Sequence, residues 1–466
     1  MNIETTNVPK KYEDAIAHWV KHNFQDLPIL EKYWDKYFPS DDKFCLCAKM
    51  DLSTSRTQEV GDHTGQPKAE DPTELSEEQA RQMLGIIRAQ ASTEFGSIQQ
   101  HQVTLERSPS DQDKFWVLRV MAEELRHGYQ MFHMLTSRNW EHLSGGVKTE
   151  DMVEDVLQME TGTHVLEAFN LPYDSFIDNV VFAGVIDRVG KYQLTMQKVC
   201  AYRPFAQSMP PMLREEAFHL ATGVVPMRRW LEAAAQGDGF ITPEQIQKSI
   251  NKWIPRGLEM FGDERGGEKN MKLGFKDMKN GEAQLKYWNE VAKLLRDLNL
   301  RFLRARYPMR SPEDIERMLD VILRERTAVE GTQYDEILKM PHREFFRRRG
   351  EPAFRMVSVE GDHFTDVEEY IKHLAHVLPH AYLASRDMVQ YRELIRRVAA
   401  GEVTREEAAM KSPVMKRRAE SVCPCSKGVR WVDTDDGPEK FPQVATNEKA
   451  PGTPSGGPGG PTYHAP

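Results

Sequence analysis

Apolar residues recur at intervals of three and four through most of the chain between residues 73 and 306, which is the period of an α-helix. The pattern predicts four long helices of functional interest, over residues 77–107, 114–135, 174–201 and 205–233. Helix starts or connections are expected near Ser76 and over residues 108–113, where capping residues and a proline interrupt the pattern. The predicted fold class is therefore all-α.

Weaker patterns flank this region. Residues 11–39 mix aromatic and charged side chains and predict one or two helices, whereas residues 53–72 have no apolar period and predict a loop. A second helical block is expected over residues 312–409. The last 16 residues contain five prolines and five glycines. This segment therefore has too few side chains that could be buried to form a core.

These patterns together predict four regions. They are an N-terminal helical extension and loop (1–72), a helical bundle (73–310), a C-terminal helical region (311–420) and a disordered Pro/Gly-rich tail (421–466).

Ionisable side chains interrupt the apolar stripes of the four functional helices. Around the first of them, stripe positions from Met83 to Ile98 are separated by four, four, three and four residues, and Glu94 occupies one of them. The six interrupting residues are Glu94 in the first helix, Glu124 and His127 in the second, Asp187 in the third, and Glu216 and His219 in the fourth.

The spacing of these residues repeats between the two halves of the region. Glu94 precedes Glu124 by 30 residues, and Asp187 precedes Glu216 by 29. In a helical hairpin, positions at similar distances from the turn lie at similar heights, so each pair is expected to face across the bundle. A glutamate and a histidine three residues apart lie on one helix face and can reach one ion.

This combination is the ligand set of a carboxylate-bridged di-iron four-helix bundle: one carboxylate from each of two helices and Glu-x-x-His from each of the others. Carboxylates bridge two cations and neutralise their charge, while imidazoles leave positions open for dioxygen. One Glu-x-x-His is commonly a solvated helix face, but two matched copies are improbable by chance. We predict a ferritin-like four-helix bundle with a di-iron carboxylate centre and additional helical regions.

The residues around these positions resemble the phenylacetic acid catabolic family of benzoyl-CoA and phenylacetyl-CoA epoxidases. The resemblance covers roughly residues 75–305 and rests on STE at 92–94, EELRH at 123–127, IDRVGKYQL at 186–194 and EEAFH at 215–219. The aspartate followed by arginine and Gly-Lys-aromatic-Gln-Leu is its most specific part.

The resemblance implies that Glu94, Glu124, His127, Asp187, Glu216 and His219 bind two iron ions and carry catalysis. It also implies insertion of one oxygen atom from O2 into the aromatic ring of an aryl-CoA thioester. The chain has no G-x-G-x-x-G after a strand and no ferredoxin-type cysteine cluster. Electrons are therefore expected from a separate NAD(P)H-dependent flavin and iron–sulfur reductase.

The same sequence features are compatible with other functions. An acyl-carrier desaturase or another ferritin-like di-iron oxidase would use the same ligand set. A ribonucleotide-reductase-like radical protein is possible because Tyr129 and Tyr192 lie near ligands in sequence. A ferritin-like iron store or a non-catalytic subunit is the non-enzymatic alternative.

Composition narrows the possible partners. With 62 basic and 71 acidic side chains the net charge is -9, which argues against nucleic acid or an anionic membrane. No run approaches the ~18 apolar residues of a membrane span, and the N-terminus lacks a secretory signal. Five cysteines are too few for a disulfide scaffold, and a cytoplasmic location is expected. The pairs Cys45/Cys47 and Cys423/Cys425 are interpreted as unrelated thiols rather than a zinc site.

Two further expectations concern the surroundings of the ligands. Pro210 and Pro211 predict a kink or a helix start five residues before Glu216. Glu123, Arg126 and Glu215 are expected to support the ligands, because a metal-bound imidazole usually donates its other N–H to a carboxylate or carbonyl. Three other histidines, His101, His133 and His164, are expected at the surface or around the ligands.

Overall fold

The computed structural model describes residues 2–262, 264–341, 356–357, 363–364, 369, 372–373, 375, 386–404, 407–408 and 411. The strands are β1 (Ile3–Thr6), β2 (Ala48–Asp51), β3 (Met356–Val357) and β4 (His363–Phe364). The helices are α1 (Lys10–Asn23), α2 (Leu27–Tyr37), α3 (Glu77–Thr104), α4 (Asp111–Thr136), α5 (Thr149–Leu157), α6 (Phe176–Val185), α7 (Asp187–Gln197), α8 (Arg203–Gln236), α9 (Pro243–Met260), α10 (Glu264–Lys272), α11 (Asn280–Arg306), α12 (Pro312–Glu325) and α13 (Arg386–Ala399).

A ferritin-like four-helix bundle forms the centre of the fold, which confirms the predicted all-α class. Helix α3 packs on α4, and α8 packs on α4 and on the consecutive helices α6 and α7. The remaining helices surround this bundle: α5 lies against α3 and α4, α9 against α6, and α11 against α8 with α12 outside it.

The bundle helices begin where the sequence predicted capping. The Ser76 hydroxyl accepts a hydrogen bond from the backbone N–H of Gln79. The Gln79 side-chain oxygen in turn accepts one from the backbone N–H of Ser76. The Ser110 hydroxyl likewise accepts the backbone N–H of Asp113 at the start of α4. Each cap satisfies donors that the first helical turn leaves unpaired.

The third and fourth functional helices differ from the prediction. A break at Ile186 divides the third, so that Asp187 begins α7 rather than lying inside one continuous helix. Helix α8 begins at Arg203 and runs through both prolines, so a helix start at Pro210 is wrong. Since Met209 and Met212 on either side are buried, tertiary packing holds the helix despite two missing N–H donors.

Helices α6 and α8 come together at two glycines. A Cβ atom added to Gly223 would lie 2.1 Å from the backbone nitrogen of Gly184 and 2.3 Å from its Cα. No side chain fits between backbones at this distance. Gly184 lies three residues before Asp187, near the end of α6, and Gly223 lies four residues after His219 on α8.

The N-terminal region contains the two helices that were predicted, α1 and α2, and a strand pair that was not. Strands β1 and β2 are antiparallel, with Ile3 opposite Asp51 and Thr6 opposite Ala48. The sequence did not indicate this pair because four residues are too few to display an alternating pattern. Residues 53–71 of the loop predicted over 53–72 contain no helix or named strand, and a short 3₁₀ turn begins at its last residue, Pro72.

Toward the C-terminus, the described residues include α12 and α13 of the predicted helical region. The predicted tail over 421–466, with Cys423 and Cys425, lies outside the described residues. Within the described part of the chain, every helix is too short or too polar to span a lipid bilayer.

Candidate metal centre

The six predicted ligands meet inside the bundle. Glu94 comes from α3, Glu124 and His127 from α4, Asp187 from the start of α7, and Glu216 and His219 from α8. All except Glu94 are buried, and the Glu94 side chain is 12% exposed. Residues separated by up to 125 positions along the chain therefore converge on one region, as the paired spacing predicted.

Two groups of three residues have the geometry of a cation site. In the first, Glu94, Glu124 and His127 place one ligand atom each within 4.8 Å of the others. In the second, Glu124, Asp187 and His219 do the same. Glu124 belongs to both groups because its two oxygens face different histidines. Its Oε2 lies 3.6 Å from His127 Nδ1, and its Oε1 lies 3.4 Å from His219 Nδ1.

Glu216 lies beside the second group without being part of it. Its Oε2 is 3.7 Å from His219 Nδ1, and Asp187 Oδ2 is 3.8 Å from the same nitrogen. The structure thus brings Glu216 next to the shared region, at the same distance from His219 as Asp187.

Polar atoms of the centre lack hydrogen-bond partners although they are buried. Within the described part of the chain these include His127 Nδ1, His219 Nδ1, Asp187 Oδ2 and Glu216 Oε2. An unsatisfied buried polar atom costs about 1–3 kcal/mol, so four around one space indicate a missing partner. Nitrogen and carboxylate lone pairs are the donors that iron accepts, and these residues fit such an ion.

Crowding of acidic groups shifts their proton affinities. Burial and the neighbouring Glu124 carboxylate raise the pKa of Glu94 and of Asp187 well above the usual range. Burial also raises the pKa of Glu216 to about 7. Burial opposes ionisation of Glu124 too, but its neighbours Glu94, His127 and His219 lower its pKa well below the usual value. Without a cation, protons therefore balance the charge of the centre.

Each histidine is held on its outer side by a glutamate from the other Glu-x-x-His helix. His127 Nε2 lies 3.0 Å from Glu215 Oε2, and His219 Nε2 lies 3.2 Å from Glu123 Oε2. A carboxylate only accepts hydrogen bonds, so both Nε2 atoms carry the hydrogen and donate. In the neutral ring, Nδ1 is then left as a bare lone pair directed at the centre.

Basic side chains complete this outer layer. Arg126 bonds Glu215 at 2.6 Å and lies 3.7 Å from Glu123, so it bridges both outer carboxylates. Arg119 bonds Glu123 at 3.1 Å, and Lys49 bonds Glu215 at 3.1 Å. The predicted contacts of Glu123 and Glu215 with the imidazoles are confirmed, and Arg126 acts through the two glutamates.

Strand β2 contributes Lys49 to the outer layer of the centre, and this contribution was not predicted from the sequence. Lys49 reaches Glu215 across 166 positions, and its backbone N–H donates to the Gln130 side chain of α4 at 2.6 Å. No local pattern signals a contact of that separation. Arg119 could have been found, since it lies four residues before Glu123 on one helix face.

Other residues singled out in the sequence bond groups outside the six candidate ligands. The Tyr129 hydroxyl bonds Glu13 and the backbone of Val8, and the Tyr192 hydroxyl bonds Glu290 on α11. His101 and His164 are buried, not at the surface. Each bonds bundle or loop side chains, namely Asn179 for His101, and Ser92 and Gln99 for His164.

Comparison with known proteins agrees with this geometry. The sequence pattern of the family described as phenylacetic acid catabolic protein matches residues 50–313, which include all six candidate ligands. Benzoyl-CoA oxygenase component B of Aromatoleum evansii is 27% identical over 222 residues, and the match spans 44% of this chain and 45% of that protein. The family pattern covers more than half of the chain, and the chain belongs to the phenylacetic acid catabolic protein family.

Proposed function

We propose that this protein is a di-iron oxygenase that inserts one oxygen atom of O2 into the aromatic ring of an aryl-CoA thioester. The observation that carries the proposal is the placement of Glu124, whose two carboxylate oxygens face two different histidines. Glu124 would therefore be shared between two cations, and such a pair of cations would supply the dioxygen chemistry of these bundles.

The residues divide naturally between the two ions. Glu94 and His127 would hold one ion, Asp187, Glu216 and His219 would hold the other, and Glu124 would be shared. Two iron ions bound there would supply the binding and reduction of dioxygen. The protein supplies the geometry, the charge balance and the exclusion of water around them.

Water exclusion follows from the residues that share the ligand faces. Ile98, Val120 and Ala183 lie on the stripes of Glu94, Glu124 and Asp187, and each is completely buried. Apolar walls of this kind strengthen electrostatic interactions at the centre and protect a reactive oxygen species from water.

The outer glutamates Glu123 and Glu215 fix the direction of both imidazoles. Because each accepts the Nε2 hydrogen, Nδ1 remains available as the ligand atom. Arg126 contacts both glutamates, which limits the rotation of either one. Ligand orientation is thus set before any metal binds, which lowers the cost of assembling the site.

The substrate class rests on the family and on the name of the relative, a benzoyl-CoA oxygenase component. Epoxidation of a ring by O2 consumes two electrons and two protons per turnover and releases one water. The chain carries no dinucleotide-binding or ferredoxin-type motif, so a separate NAD(P)H-dependent flavin and iron–sulfur reductase would deliver the electrons.

The test combines metal analysis with product detection. Purified protein loaded with Fe(II) should retain about two ions per chain. With a flavin and iron–sulfur reductase, NADPH, O2 and a panel of aryl-CoA and acyl-CoA thioesters, mass spectrometry should detect addition of one oxygen atom to an aryl-CoA. Omission of the reductase should limit product to a single turnover.

The control is Glu232→Ala, a carboxylate on the outer side of α8 that pairs with Arg301 and should leave iron content unchanged. Desaturation of an acyl thioester instead of ring oxygenation would refute the substrate proposal. Sustained turnover with NADPH alone would refute the need for a separate donor.

A further inference from the structure

Gly190 lies one turn after Asp187 on α7 and faces the Glu216 carboxylate across the gap to α8. A Cβ atom added at Gly190 would lie 2.9 Å from Glu216 Oε1 and 3.4 Å from Cδ. The nearest atoms to this position all belong to that one side chain, with no backbone among them. A side chain at residue 190 would therefore occupy space that the Glu216 carboxylate now uses.

The backbone around Gly190 is anchored and cannot easily move aside. Its neighbours Arg188, Lys191 and Tyr192 all contact Glu290 on α11. The Lys191 ammonium lies 2.7 Å from both Glu290 oxygens, and the Tyr192 hydroxyl donates to Oε2 at 2.6 Å. Two cations and a hydroxyl on one carboxylate hold this face of α7 against α11, so strain at residue 190 must be relieved by Glu216.

Glu216 also differs from the other five ligand candidates. It lies outside both groups of converging ligand atoms, and its Oε2 has no hydrogen-bond partner. The other oxygen, Oε1, points at the space that Gly190 leaves open.

We propose that Gly190 is a positioning residue, whose missing side chain leaves the Glu216 carboxylate the room it needs to join Asp187 and His219 on one ion. This inference rests on the proposed two-iron function. It gives a physical role to the glycine of the Asp-Arg-Val-Gly-Lys-Tyr segment, while Arg188, Lys191 and Tyr192 fix the helix that presents it.

The test is Gly190→Ala, with iron content and affinity as the readout. Alanine favours helix more than glycine does, and the clash involves only the end of a side chain, so the metal-free variant should unfold no earlier than the wild type. The second iron should bind at least about tenfold more weakly, and the spectroscopic signature of magnetically coupled ferric ions should weaken with it.

A double-mutant cycle separates this role from a general effect on α7. In a Glu216→Ala background, Gly190→Ala should cause no further loss of iron, because the side chain it displaces is absent. Thr195→Ala, which removes a hydroxyl bonded to the Lys191 carbonyl elsewhere on α7, should leave both irons in place.

The outcomes distinguish this inference from the function beneath it. If the wild type binds two irons and Gly190→Ala binds both with unchanged affinity, the role of Gly190 is refuted and the di-iron function stands. Earlier unfolding of the metal-free variant, or equal iron loss in the Glu216→Ala background, would also refute the positioning role. Failure of the wild type to bind iron would overturn both proposals.

Discussion

The two halves of the metal centre are built in different ways. In the half formed by α3 and α4, the helices meet through side chains: a Cβ atom at Gly128 would meet the Phe95 ring at 2.8 Å. In the half formed by α6, α7 and α8, they meet through backbone atoms at Gly184 and Gly223. The first half supplies Glu94 and the second supplies the shorter Asp187 at the same place in the ligand set.

This difference offers a reason for the aspartate. A close backbone contact one turn away brings α6 toward α8, so a carboxylate on that side has less distance to cover. The break at Ile186 then lets α7 start with Asp187 directed at His219. The aspartate, one methylene shorter than glutamate, fits a pair of helices whose backbones touch at Gly184 and Gly223.

Removal of the shared ligand should have the largest effect. Glu124 belongs to both groups of ligand atoms, so Glu124→Ala should remove nearly all iron, a loss of more than about 100-fold in affinity at both sites. Glu94→Ala and Asp187→Ala should each leave about one ion per chain. Iron analysis after gel filtration measures both, and full iron content in Glu124→Ala would contradict the bridging assignment.

Gly223→Ala should destabilise the half formed by α6, α7 and α8, because the new Cβ atom would clash with backbone. A Cβ atom 2.1 Å from Gly184 N cannot be accommodated without separating α6 from α8, and about 3 kcal/mol of unfolding free energy should be lost. Gly128→Ala in the other half would meet only the side-chain ring of Phe95 rather than backbone, and a loss of about 1 kcal/mol is expected. Denaturant unfolding of the metal-free proteins compares them, and equal losses would remove the proposed contrast.

Each histidine bonds a glutamate from the other Glu-x-x-His helix. Each outer glutamate should therefore affect metal affinity in the half opposite its own helix. Glu215→Gln should weaken the ion held by His127, and Glu123→Gln the ion held by His219, each by about 10–100-fold. Mössbauer spectra of protein partly loaded with ⁵⁷Fe would identify the weakened site. If the weakened ion were instead the one held by the histidine on the mutated glutamate's own helix, these hydrogen bonds would not control metal affinity.

Lowering the pH should weaken iron binding through proton competition. The pKa of Glu216 is raised to about 7, so below pH 7 this carboxyl is protonated and must lose its proton to bind a cation. Affinity in the second half should fall about tenfold per pH unit for each proton displaced, as the pH decreases from 7 to 6. Iron titrations at three pH values measure the slope, and Glu216→Gln should flatten it.

The metal-free protein should show the opposite dependence. The folded state of a carboxyl whose pKa is raised holds its proton where the unfolded chain has released it, so its contribution to stability is present at low pH and lost as the pH rises. Between about pH 5 and 7 the metal-free protein should therefore become less stable as the pH increases. Thermal unfolding after chelation checks the sign.

The sequence by itself determined the bundle and its ligand candidates. Helical period identified the four bundle helices, because burial of one face requires apolar residues every three or four positions. Six ionisable residues on those faces stood out because burial without a partner is costly. The contacts of Glu123 and Glu215 with the histidines also followed from the sequence, because a metal-bound imidazole usually donates its other N–H to a carboxylate. The sequence did not indicate that each glutamate contacts the histidine of the other helix.

Only the tertiary structure decided features that depend on distances between helices. The backbone contact of Gly184 with Gly223, the break before Asp187 and the space that Gly190 leaves for Glu216 have no local pattern, because a glycine looks the same whether it faces solvent or another backbone. Lys49 reaches Glu215 only because the N-terminal strand lies over α4 and α8. Periodicity specifies which face of a helix is buried, and three-dimensional packing determines how close that face comes to its neighbour.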